Sequence, residues 1–208
     1  MSTEPNPAHR YAVYFAPAPG TLGWLAGSHW LGRCAAQLQP LPQLDIAGVT
    51  KDDLHRLTAA PRRYGWHGTL KAPFVLAPGV DWARLHHAVQ AIASGLEPFT
   101  LPPMQVERID DFLALVPMAS PTTDAAIHAA AAACVTQLQP LAAALPPAEL
   151  ARRRAGGLTP RQDELLQRWG YPFVLEEFRF HMSLTGPLSG VHADTQTLVH
   201  DAAEQFFA

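Results

Sequence analysis

Two short segments of the chain share one pattern: an aromatic residue, a histidine, any residue, a hydroxyl residue and a leucine. They are residues 66–70 (WHGTL) and 180–184 (FHMSL), which contain His67 and His181. A single H-x-[ST] tripeptide carries little information in a chain with 10 histidines, and a lone histidine on a strand is most often structural. Two copies with the same flanking residues are much less expected by chance. The pair therefore predicts a functional site.

The strand period predicts which side chains lie beside each histidine. Successive side chains of a strand point to opposite faces, so every second residue shares a face. Each histidine is thus expected beside a hydroxyl, with small or apolar residues behind it. The predicted faces are His67, Thr69 and Lys71 on one strand, and His181, Ser183 and Thr185 on the other.

Two imidazoles that face each other across a groove suit in-line attack at phosphorus. One imidazole takes a proton from the nucleophile while the other protonates the leaving oxygen, and both roles suit a pKa near neutrality. Thr69 and Ser183 would donate hydrogen bonds to the non-bridging oxygens, where negative charge accumulates. Lys71 would add positive charge at the rim. Which histidine is the base depends on which bond breaks, and the sequence leaves this open.

The elements that must position these residues alternate along the chain. When the successive helices 21–38 and 50–57 are counted as one helical region, the order is strand, helix, strand, helix, strand, strand, helix, strand, helix. This order predicts an α+β sheet with helical cover and two similar halves. The predicted strands are 10–16, 62–76, 99–108, 112–117 and 178–184, and the predicted helices are 21–38, 50–57, 81–96, 121–145 and 192–207. Asp110 and Asp111 are expected to turn a hairpin.

Residues 146–171 form an insertion between the helix and strand of the second half. The segment contains Arg152, Arg153 and Arg154, then two glycines, and a short helix is expected from residue 159 to residue 169. The arginines are consistent with a phosphate or RNA clamp, although a solvated helix face is the simpler interpretation. The two glycines suggest the further hypothesis that the insertion is a lid over the groove.

Composition excludes several classes of protein. The chain has 208 residues, 16% of them charged, and its net charge of −3 disfavours long nucleic acid as a partner. No apolar run is long enough to cross a bilayer, and residues 1–9 do not resemble a signal peptide. The two cysteines, Cys34 and Cys134, indicate buried thiols rather than a disulfide. We expect a cytoplasmic monomer formed by a single domain over residues 1–208.

Other candidate residues have ordinary explanations beside their functional ones. Tyr14 would stack on a base or sugar, or is a core aromatic residue. Residues 62–64 (RRY) would lie at the mouth of the groove or on an edge strand. His200 and the other scattered histidines have no companion at ligand spacing, so no metal site is predicted and no cofactor is expected. The chain also lacks the phosphate-binding motif G-x-x-x-x-G-K-[ST].

The paired tetrads HGTL and HMSL resemble the H-x-[ST]-h signatures of the 2H phosphoesterase superfamily, which is similar to RNA ligase/cyclic phosphodiesterase proteins. Three longer segments resemble the branch of that superfamily often encoded beside phosphonate-degradation genes. They are RYAVYFAP, RYGWHGTLKAPF and FRFHMSLTGPL, and the resemblance covers residues 10–188.

This resemblance implies a bilobal fold with a pseudo-two-fold axis, in which two antiparallel-rich sheets line a central groove and helices lie outside. It implies His67, Thr69, His181 and Ser183 as catalytic residues, and we add Tyr14, Lys71 and Thr185 as substrate-binding candidates. The implied enzyme is a cyclic phosphodiesterase, a phosphoric diester hydrolase that needs no metal and acts on a cyclic nucleotide or sugar cyclic phosphate. The alternatives are a non-catalytic protein that binds a phosphate ester or an RNA end, and a ligase-like RNA enzyme.

Overall fold

The computed structural model describes residues 9–208, and its architecture is α+β. Residues 1–8, on which the expectation of no signal peptide mainly rests, lie outside the described part. The larger sheet has five strands in the order β1-β4-β7-β6-β5, and β2 and β3 form a separate two-stranded ribbon. The strands are β1 Arg10–Phe15, β2 Arg33–Cys34, β3 Gln39–Pro40, β4 Gly68–Val75, β5 Met104–Ile109, β6 Phe112–Pro117 and β7 Met182–Ser183.

Four of the helices begin at threonine or aspartate residues whose side chains cap the first backbone N–H groups. Thr21, Thr50, Asp81 and Thr159 each accept a hydrogen bond from the backbone of the first turn that follows. The helices are α1 Leu22–Leu31, α2 Lys51–Leu57, α3 Ala59–Arg62, α4 Trp82–Ser94, α5 Pro121–Leu138, α6 Pro147–Arg154, α7 Pro160–Trp169 and α8 Ala193–Phe207.

The chain divides into two compact units. The first unit comprises Met1–Tyr14, Thr69–Thr100 and Pro121–Arg179, and the second comprises Phe15–Gly68, Leu101–Ser120 and Phe180–Ala208. The core of the first unit packs α4 and α5 against β4, around the buried residues Phe74, Leu85, Ile92, Cys134, Leu138 and Leu141. Both cysteines are buried and free.

Aromatic residues hold the second unit together. The rings of Trp30 and Trp66 lie 5.6 and 5.5 Å from that of Phe207 on α8. The indole N–H of Trp30 donates a 2.9 Å hydrogen bond to the carbonyl oxygen of Leu184, directly after β7. Because Trp30 is fully buried, this bond anchors the strand that carries the second histidine motif.

Strand pairing in the second unit is antiparallel throughout. β5 and β6 form the expected hairpin, with Ile109 paired to Phe112 across the turn. β6 then pairs with β7, where Ala114 is opposite Ser183. β7 pairs with the start of β4 through Gly68 and Met182. The first strand residues of the two motifs are therefore direct partners.

Several sequence predictions need correction. The prediction of two sheets lining a groove differs from the described structure, which has one five-stranded sheet and a ribbon of two strands with two residues each. The helix predicted over 21–38 ends at Leu31, because Gly32 adopts a left-handed conformation that closes it. The strand predicted over 178–184 is only two residues long, and the strand predicted from residue 62 starts at Gly68.

Each helix found within residues 9–208 is either too short or not apolar enough to span a lipid bilayer.

Candidate functional site

A pocket of about 290 Å³ lies in the second unit beside the first histidine motif. We call it the histidine pocket. The turn after α3 forms one wall, and the segments around β6 and β7 form the rest. The lining residues are Ala60, Pro61, Tyr64, Gly65, His67, Asp111, Phe112, Ser183, Thr185, Gly186 and Pro187. The pocket thus brings His67 together with Ser183, the hydroxyl residue of the other motif.

Strand register explains this crossed arrangement. Gly68 is the partner of Met182, and antiparallel partners run in opposite directions along the chain. The residue before Gly68 is therefore level with the residue after Met182. His67 and Ser183 are accordingly neighbours across the two strands.

The close approach of the two motifs depends on a glycine. A Cβ atom built at Gly68 would lie 2.7 Å from the ring of Phe180 and 3.3 Å from the carbonyl oxygen of His181. The ring of Phe180 is buried and packs edge-on against Phe15 at 5.7 Å, so it has little room to move. The variable position of the first motif is thus constrained to glycine by packing.

His67 is held in a defined tautomer. Its Nδ1 atom lies 2.8 Å from the carbonyl oxygen of Gly65. A carbonyl oxygen only accepts hydrogen bonds, so Nδ1 carries the proton and Nε2 of the neutral ring keeps its lone pair. Burial lowers the pKa of His67, and the nearby His181 lowers it further, while the Gly65 carbonyl opposes both. Burial therefore favours the neutral form of His67.

Aromatic side chains flank both imidazoles. Tyr64, with about half of its surface exposed, lies edge-on to His67 with the ring centres 6.4 Å apart. Phe112 lies 5.5 Å from His181. The Arg63 guanidinium stands over the Tyr64 ring at 5.8 Å and supplies positive charge close to the pocket. Among the residues that flank the imidazoles, Arg63 and Tyr64 belong to a segment that was a candidate from the sequence, and Phe112 was not.

The remaining predicted site residues have different surroundings. Thr185 lines the pocket, but it is buried and its hydroxyl oxygen accepts a 3.0 Å hydrogen bond from the backbone N–H of Leu113. Thr69 and Tyr14 are half-buried residues of the first unit, on β4 and β1. Lys71 is also in the first unit, where it lines a different cavity. It was expected at the rim of the groove but is only 4% exposed.

One group of metal-ligand residue types lies on α8. His200 was expected to lack companions, yet Asp201 and Glu204 have carboxylate oxygens 3.4 and 3.8 Å from its Nδ1 atom. Both acidic side chains are more than half exposed, which is common on helix surfaces where no metal binds. Among residues 9–208, no other group of three His, Cys, Asp or Glu residues has this spacing.

Fold and site thus describe an α+β protein with a pocket lined by His67 and Ser183. His181 is not among the lining residues, although it is close enough to lower the pKa of His67. The chain belongs to the family described as "Protein of unknown function (DUF1045)", which matches residues 69–208. This range includes His181 and Ser183 and begins two residues after His67. Membership of the 2H superfamily is a prediction that this family description leaves open. No solved structure matches the chain.

Two curated relatives are each named "Ribose 1,5-bisphosphate phosphokinase PhnN". The protein from Janthinobacterium sp. (strain Marseille) is 43% identical over 199 residues, which are 96% of this chain and 43% of the relative. The protein from Laribacter hongkongensis (strain HLHK9) is 41% identical over 184 residues, which are 88% of this chain and 41% of the relative. The chain therefore spans less than half the length of these relatives.

These names correct the predicted enzyme class. The sequence motifs indicated a cyclic phosphodiesterase, whereas both relatives are named as kinases of a ribose bisphosphate. The prediction failed because two H-x-[ST] motifs indicate only residue types that suit proton transfer and the binding of phosphate oxygens. They do not specify which phosphorus–oxygen bond is made or broken.

Proposed function

We propose that the histidine pocket binds a small phosphorylated sugar of the ribose phosphate type, and that His67 and His181 transfer protons at its phosphate ester. The observation that carries the proposal is the geometry of His67, whose Nδ1–H group donates to the carbonyl oxygen of Gly65 and whose neutral form is favoured by burial. An imidazole held in this way is suited to act as a general base through Nε2. His67 would take the proton of an attacking hydroxyl group or water as its oxygen bonds to phosphorus. His181 would then protonate the oxygen whose bond to phosphorus breaks.

The other groups of the pocket fit a phosphate ester of modest size. The Ser183 hydroxyl can donate a hydrogen bond to a phosphate oxygen, and the pocket of about 290 Å³ accommodates a sugar phosphate rather than a polymer. The Tyr64 ring offers an apolar face for the sugar, and Arg63 adds positive charge. Asp111 is the acidic lining residue and lies 3.9 Å from Arg108, which partly offsets its charge.

The relatives support the class of ligand. Both relatives are named after ribose 1,5-bisphosphate, which is a phosphate ester of a small sugar. The resemblance to a branch linked with phosphonate degradation is consistent with such a substrate, and we propose a role in phosphonate metabolism. The 208 residues contain no G-x-x-x-x-G-K-[ST] motif. We therefore assign the kinase activity in the relatives' names to the portion of those proteins outside the match.

A second candidate is a domain that binds the sugar phosphate without transforming it. It is favoured by the length of the relatives, since a binding domain in the same chain would present the ligand to a separate catalytic portion. The two candidates require the same pocket and differ only in whether a phosphorus–oxygen bond changes.

Phosphorus-31 NMR distinguishes these possibilities. The purified chain would be incubated with ribose 5-phosphate, ribose 1-phosphate and ribose 1,5-bisphosphate, each with and without a chelator. A new phosphorus resonance is expected with the parent protein, and its rate should fall by roughly 10² or more in both His67→Gln and His181→Gln. Shifted resonances without a new one would favour the binding domain.

Two outcomes contradict the proposal. One is unchanged reaction or binding in both histidine variants, provided that their thermal unfolding matches the parent. The other is consumption of added ATP by this chain alone, which would locate the named kinase activity here. His128→Gln is the matched control, because His128 lies on α5 in the first unit and bonds the carbonyl oxygens of Asp124 and Phe178.

A further inference from the structure

A second and larger cavity, of about 740 Å³, lies entirely among residues of the first unit. We call it the basic cavity because its lining includes four basic side chains and a single acidic one. The charged lining residues are Arg10, Lys71, Glu149, Arg152 and Arg153. This volume is within the range of small-molecule sites in proteins.

The Lys71 amine is the most unusual group of this cavity. The side chain is buried, and its Nζ atom donates to Oε1 of Gln139 at 3.1 Å and, at a longer 3.4 Å, to the carbonyl oxygen of Val135. The ring of Phe74 lies 4.9 Å below it. Within residues 9–208, no carboxylate forms an ion pair with this amine, so its charge has only neutral partners.

Burial of a cation without a counter-ion is costly and needs a reason. It lowers the pKa of Lys71 to about 8, with Cys134 acting in the opposite direction. An ammonium has three N–H donors, and two acceptors are supplied here. An anion in the cavity would supply both the third acceptor and the missing negative charge.

The arginines are arranged around one carboxylate. Glu149 Oε1 lies 2.6 Å from Arg152, 2.9 Å from Arg153 and 3.9 Å from Arg10. Hydrogen bonding to Arg152 and then to Arg153 lowers the pKa of Glu149 to about 2, so this carboxylate stays ionised. Three guanidinium groups share a single negative charge, and the cavity wall remains net positive.

The rest of the lining is apolar or aromatic. Phe74, Val135 and Val174 lie on one side, and Trp169 and Tyr171 follow at the end of α7. The Arg153 guanidinium lies 5.9 Å from the Tyr171 ring. Walls of this kind suit a ligand with an apolar or flat body and one acidic group.

We propose that the basic cavity is a second ligand site, which binds a small organic anion whose acidic group is held by Lys71 and Arg152. It is separate from the histidine pocket, because the two cavities share no lining residue. The insertion over residues 146–171 acquires a role in this proposal. Its helices α6 and α7 form much of the cavity wall.

The chain has only two lysines, Lys51 and Lys71, so reductive labelling tests the proposal directly. At pH 8, pyridoxal 5′-phosphate and pyridoxal would each be added separately. The lysine nitrogen adds to the aldehyde carbon, water leaves as the imine forms, and borohydride delivers hydride to give a stable secondary amine. Peptide mass spectrometry then reports labelling at each lysine.

Labelling of exposed Lys51 gives the intrinsic reactivity of each aldehyde, because free pyridoxal is partly closed to a hemiacetal. Relative to Lys51, Lys71 should be labelled about tenfold more by the phosphorylated aldehyde than by pyridoxal. Arg152→Gln should remove most of that preference, and Arg84→Gln, on the exposed side of α4, should leave it intact. Protection by phenylphosphonate rather than benzoate would mark a phosphorus acid, and the reverse would mark a carboxylate.

The proposal is overturned if Lys71 is not labelled, if both aldehydes label it equally, if Arg152→Gln has no effect or if neither competitor protects. His67→Gln should label like the parent. The result is therefore independent of the function proposed for the histidine pocket.

Discussion

Gly68 lies so close to Phe180 that a single methyl group at Gly68 would overlap the phenyl ring, at 2.7 Å. Gly68 is the partner of Met182 in the sheet, and the two neighbouring motif histidines precede these two residues. The distance between the two motifs thus depends on Gly68, a residue that has no reactive side chain of its own.

Replacing this glycine should damage the site more than the fold. Gly68→Ala is expected to lower the free energy of unfolding by about 1–3 kcal/mol, because overpacking displaces Phe180 or the strand. It should also weaken sugar phosphate binding by moving His67 away from Ser183. Denaturant unfolding and calorimetric titration with ribose 5-phosphate measure the two effects.

Gly156→Ala is the matched control, since a Cβ atom there has no neighbour within 4 Å. It should change neither quantity. Full binding by Gly68→Ala would show that the pocket does not need this close approach.

The protonation of His67 gives a second prediction. Burial and the nearby His181 lower its pKa, so the ring should titrate below the ordinary histidine value near 6.5. His181→Gln removes the repulsive charge and should raise the pKa of His67. Nitrogen-15 NMR of labelled histidine follows the titration, and the neutral form should show a protonated Nδ1.

The lowered pKa of His67 also predicts how the free energy of unfolding changes with pH. The unfolded chain binds a proton more readily than the folded one between the two pKa values, so stability should fall as the pH drops through this window. His67→Phe should flatten the fall. An Nε2-protonated neutral ring, or a pKa above 6.5, would contradict the assignment of His67 as base.

Much of the fold could be predicted from local signals. β6 spans residues 112–117 as expected, and α4 follows its Asp81 cap. Errors arose where tertiary contacts decide the outcome. Gly32 is compatible with a helix interior by sequence alone, and its positive φ angle of 75° depends on the following ribbon.

The candidate site shows the same division. The repeated motifs made His67, His181 and Ser183 candidates, and two of them, His67 and Ser183, line the pocket. Phe112 also lines it and was missed, since its position depends on the packing of the hairpin. The catalytic roles of the motif residues stay predictions. Lys71 was placed on the His67 face by strict alternation. In β4, however, burial does not alternate, because the buried residues are Gly68, Lys71 and Phe74, spaced by three. Alternation therefore did not predict the burial of Lys71.

Substitution of Thr185 is predicted to lower the stability of the fold, whereas substitution of Ser183 is predicted to weaken ligand binding. Thr185→Val deprives the Leu113 N–H of its side-chain acceptor and should cost about 1–3 kcal/mol of unfolding free energy. Thr185→Ser, which keeps the hydroxyl, should cost much less. Thermal and denaturant unfolding of the two variants give the comparison.

Ser183→Ala should behave in the opposite way, because its half-buried hydroxyl lines the pocket. A change within about 0.5 kcal/mol in unfolding free energy is expected, together with about tenfold weaker binding of ribose 5-phosphate. If Ser183→Ala and Thr185→Val lose equal unfolding free energy, the Ser183 hydroxyl is a structural group like that of Thr185. It would then not be a specific hydrogen-bond donor to the ligand.

Lys71 should lower the stability of the ligand-free protein. Its pKa falls from 10.5 to about 8 on burial, so at pH 7 the folded state carries a charged amine at a cost of about 3 kcal/mol as an upper bound. Lys71→Met should therefore raise the free energy of unfolding at pH 7. The gain is reduced by the lost hydrogen bonds to Gln139 and Val135.

The pH dependence identifies the cause. Between pH 8 and 10.5 the folded amine is neutral while the unfolded one is still charged, so Lys71 adds stability as the pH rises, and Lys71→Met should lack this rise. Burial raises the pKa of Cys134, which has the opposite effect above pH 9, so both proteins should carry Cys134→Ala. Lys51→Met, at an exposed lysine paired with Asp45, is the control and should change little. A parallel pH profile for Lys71→Met and its parent would show that the amine is not desolvated in the folded protein.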